Sequence, residues 1–153
     1  MPMPSPSPEH RALERLAGAW RGEEEIAPSP FDPQGARAEG LVTNTVVVDG
    51  FAVQHDYVQL RDGVASFRGH GVFRWAPERQ AVVLWWIDAM GGPPTEYVGG
   101  WVGDELVLEA PIPGGFARST WVFDDAGRYA HALDVSPDGA EWMTTMRGRY
   151  HRA

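Results

Sequence analysis

The sequence predicts a single all-β domain: a closed antiparallel up-and-down β-barrel of about ten strands with a short N-terminal helix. After Trp20 the chain runs in short segments rich in Val, Trp, Tyr, Phe and Thr, and turn residues separate these segments. Short connections make neighbouring strands antiparallel. Closure removes the unpaired edges that so long an open sheet would expose. A two-sheet sandwich is the alternative architecture that the same pattern allows.

The first residues predict a short helix that follows an extended tail. Residues 1–6 alternate Pro with other residues and are expected to be disordered, whereas residues 7–153 are expected to form one domain. Ser7 is suited to cap a helix that has Pro8 in its first position, and Gly18 is a typical stop signal. After the cap, apolar residues recur at helical spacing: Leu13, Leu16, Ala17 and Trp20. The pattern predicts a helix of about three turns.

The strands are recognised by their β-branched and aromatic residues and by the turns between them. Asp49-Gly50 and Pro137-Asp138-Gly139 are two of these turns, and Pro28–Gly35 is a longer Pro-rich loop. Strands are predicted at about residues 20–27, 38–48, 51–60, 65–75, 80–88, 95–102, 105–110, 116–123, 128–135 and 141–150. A barrel of about eight strands or more encloses an interior that holds side chains or one small ligand.

The composition excludes several classes of function. The formal net charge is -8, from 21 acidic and 13 basic residues, so neither nucleic acid nor an anionic membrane is an expected partner. All basic residues are Arg, which excludes a Schiff-base lysine and a P-loop lysine. The lack of Cys excludes disulfides, thiolate metal sites and a cysteine nucleophile. Without a signal-peptide pattern or a long apolar run, the chain is expected to be cytoplasmic.

Several motifs resemble those of one family, in the same order along the chain. The run Leu84-Trp85-Trp86-Ile87-Asp88-Ala89-Met90-Gly91 resembles the W-x-D-x-M signature of an uncharacterised bacterial domain-of-unknown-function family. The other matching segments are Leu16 to Gly22 (L-x-G-x-W-x-G), Phe67 to Gly71 (F-x-G-x-G), Arg118 to Asp125 (R-x-T…DD) and Tyr150 to Arg152 (Y-x-R). The resemblance covers nearly the whole chain after residue 10. It implies a lipocalin-like (calycin-type) barrel, and it implies a fold more than a function.

The segment Gly18 to Gly22, with its G-x-W-x-G pattern, also resembles nitrobindin-type haem barrels more distantly. In those barrels a His near the C-terminus holds the haem iron, and His131 and His151 lie in that half of this chain. Because no further haem motif accompanies these histidines, we expect no cofactor.

Strand alternation brings a set of candidate ligand-binding residues to the interior. Trp86 and Asp88 share one face. Asp88 is either a polar group at the mouth of a pocket, where it binds a ligand or acts as a general base, or a turn-capping residue. Arg118, if it points inward, is a buried cation that must be paired. It is either a clamp for a carboxylate or phosphate of the ligand or one half of a structural ion pair with Asp88 or Glu96. The full set of predicted ligand-binding residues is Trp86, Asp88, Arg118, His55, Tyr57, Tyr97, Trp101 and His131.

The histidines have more than one possible role. His55 is a general base, a metal ligand or, more often for such a residue, a core histidine with one hydrogen bond. The five His show no H-x-H or H-E-x-x-H pair, so no dedicated metal site is predicted. The acidic run Glu23-Glu24-Glu25 is interpreted as a solvated strand face.

Both faces of the strand around Trp85 are apolar, so its outer face needs a cover. The helix, the Pro-rich loop or a second subunit of a homodimer could provide it.

Four functions remain open from the sequence. The first is binding of a small, largely apolar molecule inside the barrel, and the second is a cofactor-independent enzyme that acts on a small molecule in the same cavity. The third is a packed interior with a partner-binding outer surface, and the fourth is a haem-binding barrel. The seven Trp fit either a filled or an aromatic-lined lumen.

Overall fold

Ten antiparallel strands close into one barrel, as the sequence predicts. The computed structural model describes all 153 residues. The strands are β1 (Gly18–Ile26), β2 (Ala36–Val47), β3 (Ala52–Arg61), β4 (Val64–Ala76), β5 (Ala81–Asp88), β6 (Thr95–Val102), β7 (Glu105–Ile112), β8 (Gly115–Phe123), β9 (Tyr129–Ser136) and β10 (Met143–Arg152). Each strand pairs with its neighbours along the chain, and β1 also pairs with β10, for example at Gly22 and Tyr150. No strand edge is therefore left unpaired.

The N-terminal helix is shorter than the sequence predicts. Helix α1 covers only Pro8–Ala12, and a 3₁₀ turn over Leu13–Leu16 follows it. The backbone N–H of Ser7 donates to Nδ1 of His10 at 3.0 Å at the start of the helix. Gly18 has a φ of 130°, which no helix contains, and it begins β1 instead of ending a helix.

Trp20 therefore lies on a strand, and the helix-like spacing of the apolar residues has a different cause. Leu13, Leu16 and Trp20 are each at most 1% exposed, because all three fill the same end of the barrel. The indole N–H of Trp20 donates to the backbone carbonyl of Leu16 at 2.9 Å and ties the strand to the 3₁₀ turn. Together these residues form a plug, which belongs to the same hydrophobic core cluster as Phe73 and Leu106.

Several large apolar side chains are exposed on the outer surface. Phe31 in the loop between β1 and β2 is 90% exposed, and Trp85 on the outer face of β5 is 40% exposed. The predicted cover over Trp85 is thus incomplete within one chain, and a homodimer stays a prediction. No helical segment of the chain has the length or the apolar character that crossing a bilayer requires.

Candidate functional site

A cavity of about 220 Å³ occupies the barrel interior beyond the plug. Its walls are formed by Val42, His55, Tyr57, Gln59, Phe67, Leu84, Trp86, Asp88, Tyr97, Ser119, Trp121, Tyr129, His131, Leu133, Met146 and Tyr150. Six of the eight residues in the predicted set are among them; Arg118 and Trp101 are not. The lumen is therefore filled at one end and hollow beyond it. A ligand-binding role for the six residues stays a prediction.

Asp88 and Trp86 lie in the cavity wall at the end of β5. The indole N–H of Trp86 donates to Oδ2 of Asp88 at 2.9 Å, while the backbone N–H of Met90 donates to Oδ1 at 2.9 Å. Asp88 therefore caps the turn and also lines the cavity, while a role in binding a ligand or as a general base stays a prediction. A carboxylate offers about four acceptor sites, so Asp88 keeps acceptor capacity for a further donor.

Trp86 lies flat against the barrel wall because β4 has glycines beside it. In the β4–β5 register Gly71 is opposite Trp86 and Gly69 is opposite Asp88. A methyl group added at Gly69 would overlap the six-membered ring of Trp86. The F-x-G-x-G segment of β4 thus has a physical reason: its glycines provide the space for the indole.

His55 is held in one tautomer by a chain of hydrogen bonds that starts at the plug. The side-chain amide of Asn44 donates to the backbone carbonyl of Leu16 at 2.8 Å, so its Oδ1 faces Nδ1 of His55 at 2.6 Å. An amide oxygen can only accept, so Nδ1 of His55 carries the proton. Burial, with a smaller effect of His131, lowers the pKa of His55 to about 3. The ring is therefore neutral at pH 7, with a lone pair on Nε2.

A serine–histidine pair lies elsewhere in the same wall. The Oγ of Ser119 and Nε2 of His131 are 2.6 Å apart, and the imidazole packs on the ring of Trp121 with centroids 4.9 Å apart. Burial lowers the pKa of His131 to about 4, so this ring too is neutral at pH 7. No three His, Asp or Glu side chains come together as a group that could hold a metal ion.

Arg118 points away from the lumen, and its predicted pair with Asp88 does not form. Ser119 and Trp121 face inward on β8, so alternation turns Arg118 outward. Its guanidinium lies 3.4 Å from Asp134 and stacks over the ring of Trp142 at 4.1 Å. The prediction that Arg118 lies in the cavity is wrong. Its side chain points outward and forms an ion pair with the buried Asp134 of β9 on the outside of the barrel.

Trp101 faces inward but lies with the plug and not at the cavity. Its ring centroid is 5.8 Å from that of Phe123, and the guanidinium of Arg15 lies 5.3 Å above it. The indole N–H is buried and has no hydrogen-bond partner. Trp101 therefore belongs to the packed end of the barrel.

Glu24 is the residue that the sequence interpretation missed. It is 1% exposed, although the run Glu23–Glu25 was interpreted as a solvated face. The Tyr57 hydroxyl donates to its carboxylate at 2.8 Å, the Gln59 amide donates at 3.2 Å, and the Tyr150 hydroxyl donates as well. No Arg pairs with it. Alternation from the inward-facing Trp20 contained the signal, because residues two and four positions further along a strand share its face.

All four tyrosines of the chain line the cavity, and burial raises the pKa of each above its ordinary value. The charge of Glu24 adds to this effect for Tyr57, Tyr129 and Tyr150, and the charge of Asp88 adds to it for Tyr97. The hydroxyls are thus held protonated, as the donors to Glu24 must be.

Comparisons with known proteins support the fold and leave the function open. A family model described as "Protein of unknown function (DUF1579)" matches residues 5–152. No curated protein matches the chain significantly. A solved structure with a similar fold is the crystal structure of Rv2717c from M. tuberculosis, with a TM-score of 0.73 and 18% sequence identity, covering 96% of this chain and 98% of that chain. At this identity the likeness shows the fold alone.

Proposed function

The chain belongs to the DUF1579 family of unknown function, and from the cavity inside its barrel we propose that it binds one small, largely apolar molecule. The observation that carries the proposal is the cavity of about 220 Å³, in which 11 of the 16 lining residues are hydrophobic. An apolar cavity of about 150 Å³ takes up a benzene ring. The lumen therefore suits a molecule of one substituted ring or a comparable branched chain.

A few polar groups in the wall would orient such a molecule. Asp88 retains acceptor capacity, His55 offers the lone pair of Nε2, and Tyr97 has a hydroxyl with no partner in the protein. Ligand sites commonly combine an apolar lining with a small number of fixed polar groups. We expect the ligand to have one polar end and one apolar body.

The test is a titration with a neutral aromatic probe, 2-phenylethanol, followed by ligand-observed NMR. Leu133→Trp would fill the cavity, and we expect it to weaken binding by about tenfold or more, since the ring could no longer enter. Val122→Trp is the matched control, because Val122 is 38% exposed on the outer face of β8. Native mass spectrometry of the purified protein would show a co-purified ligand directly.

The titration has a clear contrary outcome. If Leu133→Trp binds 2-phenylethanol as well as Val122→Trp does, the lumen is not the binding site. A packed interior with a partner-binding outer surface would then be the better account. The melting temperature of both variants shows whether the barrel has remained folded.

A cofactor-independent enzyme in the same cavity is a second candidate. It is favoured by the 2.6 Å contact between Ser119 Oγ and His131 Nε2, which is the geometry of a nucleophile and its base. It is disfavoured by the position of Ser119, which pairs with strands on both sides at Leu108 and Leu133, away from any turn that could expose amides to an oxyanion. If a fluorophosphonate labels Ser119 in the wild-type protein but does not label Ser119 in the His131→Ala variant, the result would support the enzyme.

A further inference from the structure

The charges around the cavity are of one sign. Asp88 is the one formally charged side chain among the lining residues. The carboxylate of Glu24 lies directly behind the wall and receives hydrogen bonds from the wall residues Tyr57, Gln59 and Tyr150. In a low-dielectric interior such charges act over the full width of a small cavity.

No cation in the wall offsets these carboxylates. Arg118 is outside the barrel and pairs with Asp134. Arg61, whose charge reaches Tyr57, is held by Asp32 through two hydrogen bonds of 3.0 and 2.9 Å. His55 and His131 are uncharged because burial lowers the pKa of both well below 7. The cavity therefore has an unbalanced negative potential.

The aromatic residues that line the cavity also favour a positively charged ligand. The cavity is surrounded by the rings of Tyr57, Phe67, Trp86, Tyr97, Trp121, Tyr129 and Tyr150. The face of an aromatic ring attracts cations, with Trp the strongest, and the attraction increases when the cation is desolvated. Carboxylates and ring faces together favour a positively charged group over a neutral or negative one.

We infer that the ligand of this barrel is a small organic amine, bound with its apolar body in the lumen and its ammonium group against Asp88. This inference rests on the proposed binding function and narrows its ligand class. Asp88 has acceptor sites free beside those used by Trp86 and Met90, and the Trp86 ring adjoins it. A carboxylate-bearing ligand is excluded from this position by repulsion from Asp88 and Glu24.

The test compares three probes with the same phenyl body and different heads: 2-phenylethylamine, 2-phenylethanol and phenylacetate. Affinities are measured by ligand-observed NMR at low salt on the wild-type protein. The amine is expected to bind about tenfold or more tightly than the alcohol, and the carboxylate to bind weakest. Raising the salt concentration should reduce both the advantage of the amine and the disadvantage of the carboxylate, while the affinity for the alcohol changes little.

Asp88→Asn identifies the group that is responsible. We expect it to bring the amine to within about threefold of the alcohol, while the affinity for the alcohol changes little. Glu105→Gln is the matched control: it removes one negative charge from an exposed residue of β7 and should leave the preference intact. If Asp88→Asn does not fold, the three-probe series on the wild type still decides.

The outcomes separate this inference from the proposed function. If the alcohol binds and phenylacetate binds as tightly as the amine, the lumen is a binding site but the amine assignment is wrong. An amine preference that persists unchanged in folded Asp88→Asn also overturns the assignment of the ammonium to Asp88. If none of the three probes binds, both proposals fail.

Discussion

The hydrogen-bond chain from Leu16 through Asn44 to His55 shows how one side chain decides the chemistry of another. The carbonyl of Leu16 fixes the orientation of the Asn44 amide, and the amide oxygen then fixes the proton on Nδ1 of His55. The helical plug thus sets the tautomer of a cavity residue. A charged imidazole at this position would lose hydration and gain no carboxylate partner, so the fold selects the neutral ring.

This arrangement predicts an acid-sensitive stability. The pKa of His55 is lowered to about 3 in the folded state, so between that value and the unfolded value of about 6.5 the unfolded chain binds the extra proton. The free energy of unfolding therefore falls as the pH decreases through this range. Urea unfolding of His55→Gln between about pH 7 and about pH 4 should show a shallower loss than that of the wild type.

The exposed His151 provides the control for this experiment. His151→Gln should retain the pH dependence of the wild type, since its side chain lies in solvent in both states. Equal slopes for the two variants would contradict a neutral, buried His55.

At the residue scale the sequence predicted some positions and could not predict others. Trp86 and Asp88 were assigned correctly to the interior because both lie on a regular strand with a clear end. Arg118 was misplaced because the sequence pattern did not show whether its side chain points inward or outward. Its actual partner, Asp134, is close in space but distant in sequence. Glu24 was missed because an acidic run is usually solvated, and its three donors come from β3 and β10.

At the scale of single elements, the helix is where local sequence was misleading. The spacing of Leu13, Leu16 and Trp20 fits a helix, but the same residues also meet when a short helical turn leads into a strand over one barrel end. Gly18 was interpreted as the stop signal of the helix, but the helical turn ends at Leu16 and the first strand begins at Gly18. Propensity gives the type of an element more reliably than its length, because tertiary burial decides the length.

The pairing of β4 with β5 predicts that substitution of a glycine beside Trp86 lowers the stability of the fold, whereas substitution of a glycine on β6 does not. Gly69→Ala places a methyl group in the space of the Trp86 ring, so we expect a loss of about 1–3 kcal/mol in the free energy of unfolding. Gly100→Ala on β6 is the control, because its added methyl group would contact nothing within 4 Å. Alanine at that strand position should be neutral or slightly stabilising.

Urea unfolding measures both variants, and near-UV circular dichroism reports the Trp86 environment. A Gly69→Ala variant as stable as Gly100→Ala, with an unchanged aromatic spectrum, would mean that the indole does not depend on this glycine. The expected result would link the F-x-G-x-G segment to the shape of the cavity wall.

At the scale of the whole molecule, closure was predictable and the cavity was not. Ten strand patterns with short turns have few arrangements that leave no edge, so composition and turn spacing were sufficient for the barrel. Whether the interior is filled depends on which side chains meet across the lumen. Trp20 and Trp101 fill one end, while Trp86 lies flat on the wall and leaves the other end hollow. Strand alternation does not contain that information.

The size of the hollow part leads to a prediction about haem. A cavity of about 220 Å³ is not much larger than the volume of about 150 Å³ that accepts a single benzene ring, and a porphyrin is a macrocycle of several such rings. In addition, Nε2 of His131 lies 2.6 Å from Ser119 Oγ, a contact that iron ligation through this nitrogen would break. We therefore expect that haemin mixed with the protein gives no Soret band that persists through gel filtration. A persistent band that disappears in His131→Ala, but not in the exposed control His151→Ala, would contradict this expectation and place haem iron on His131.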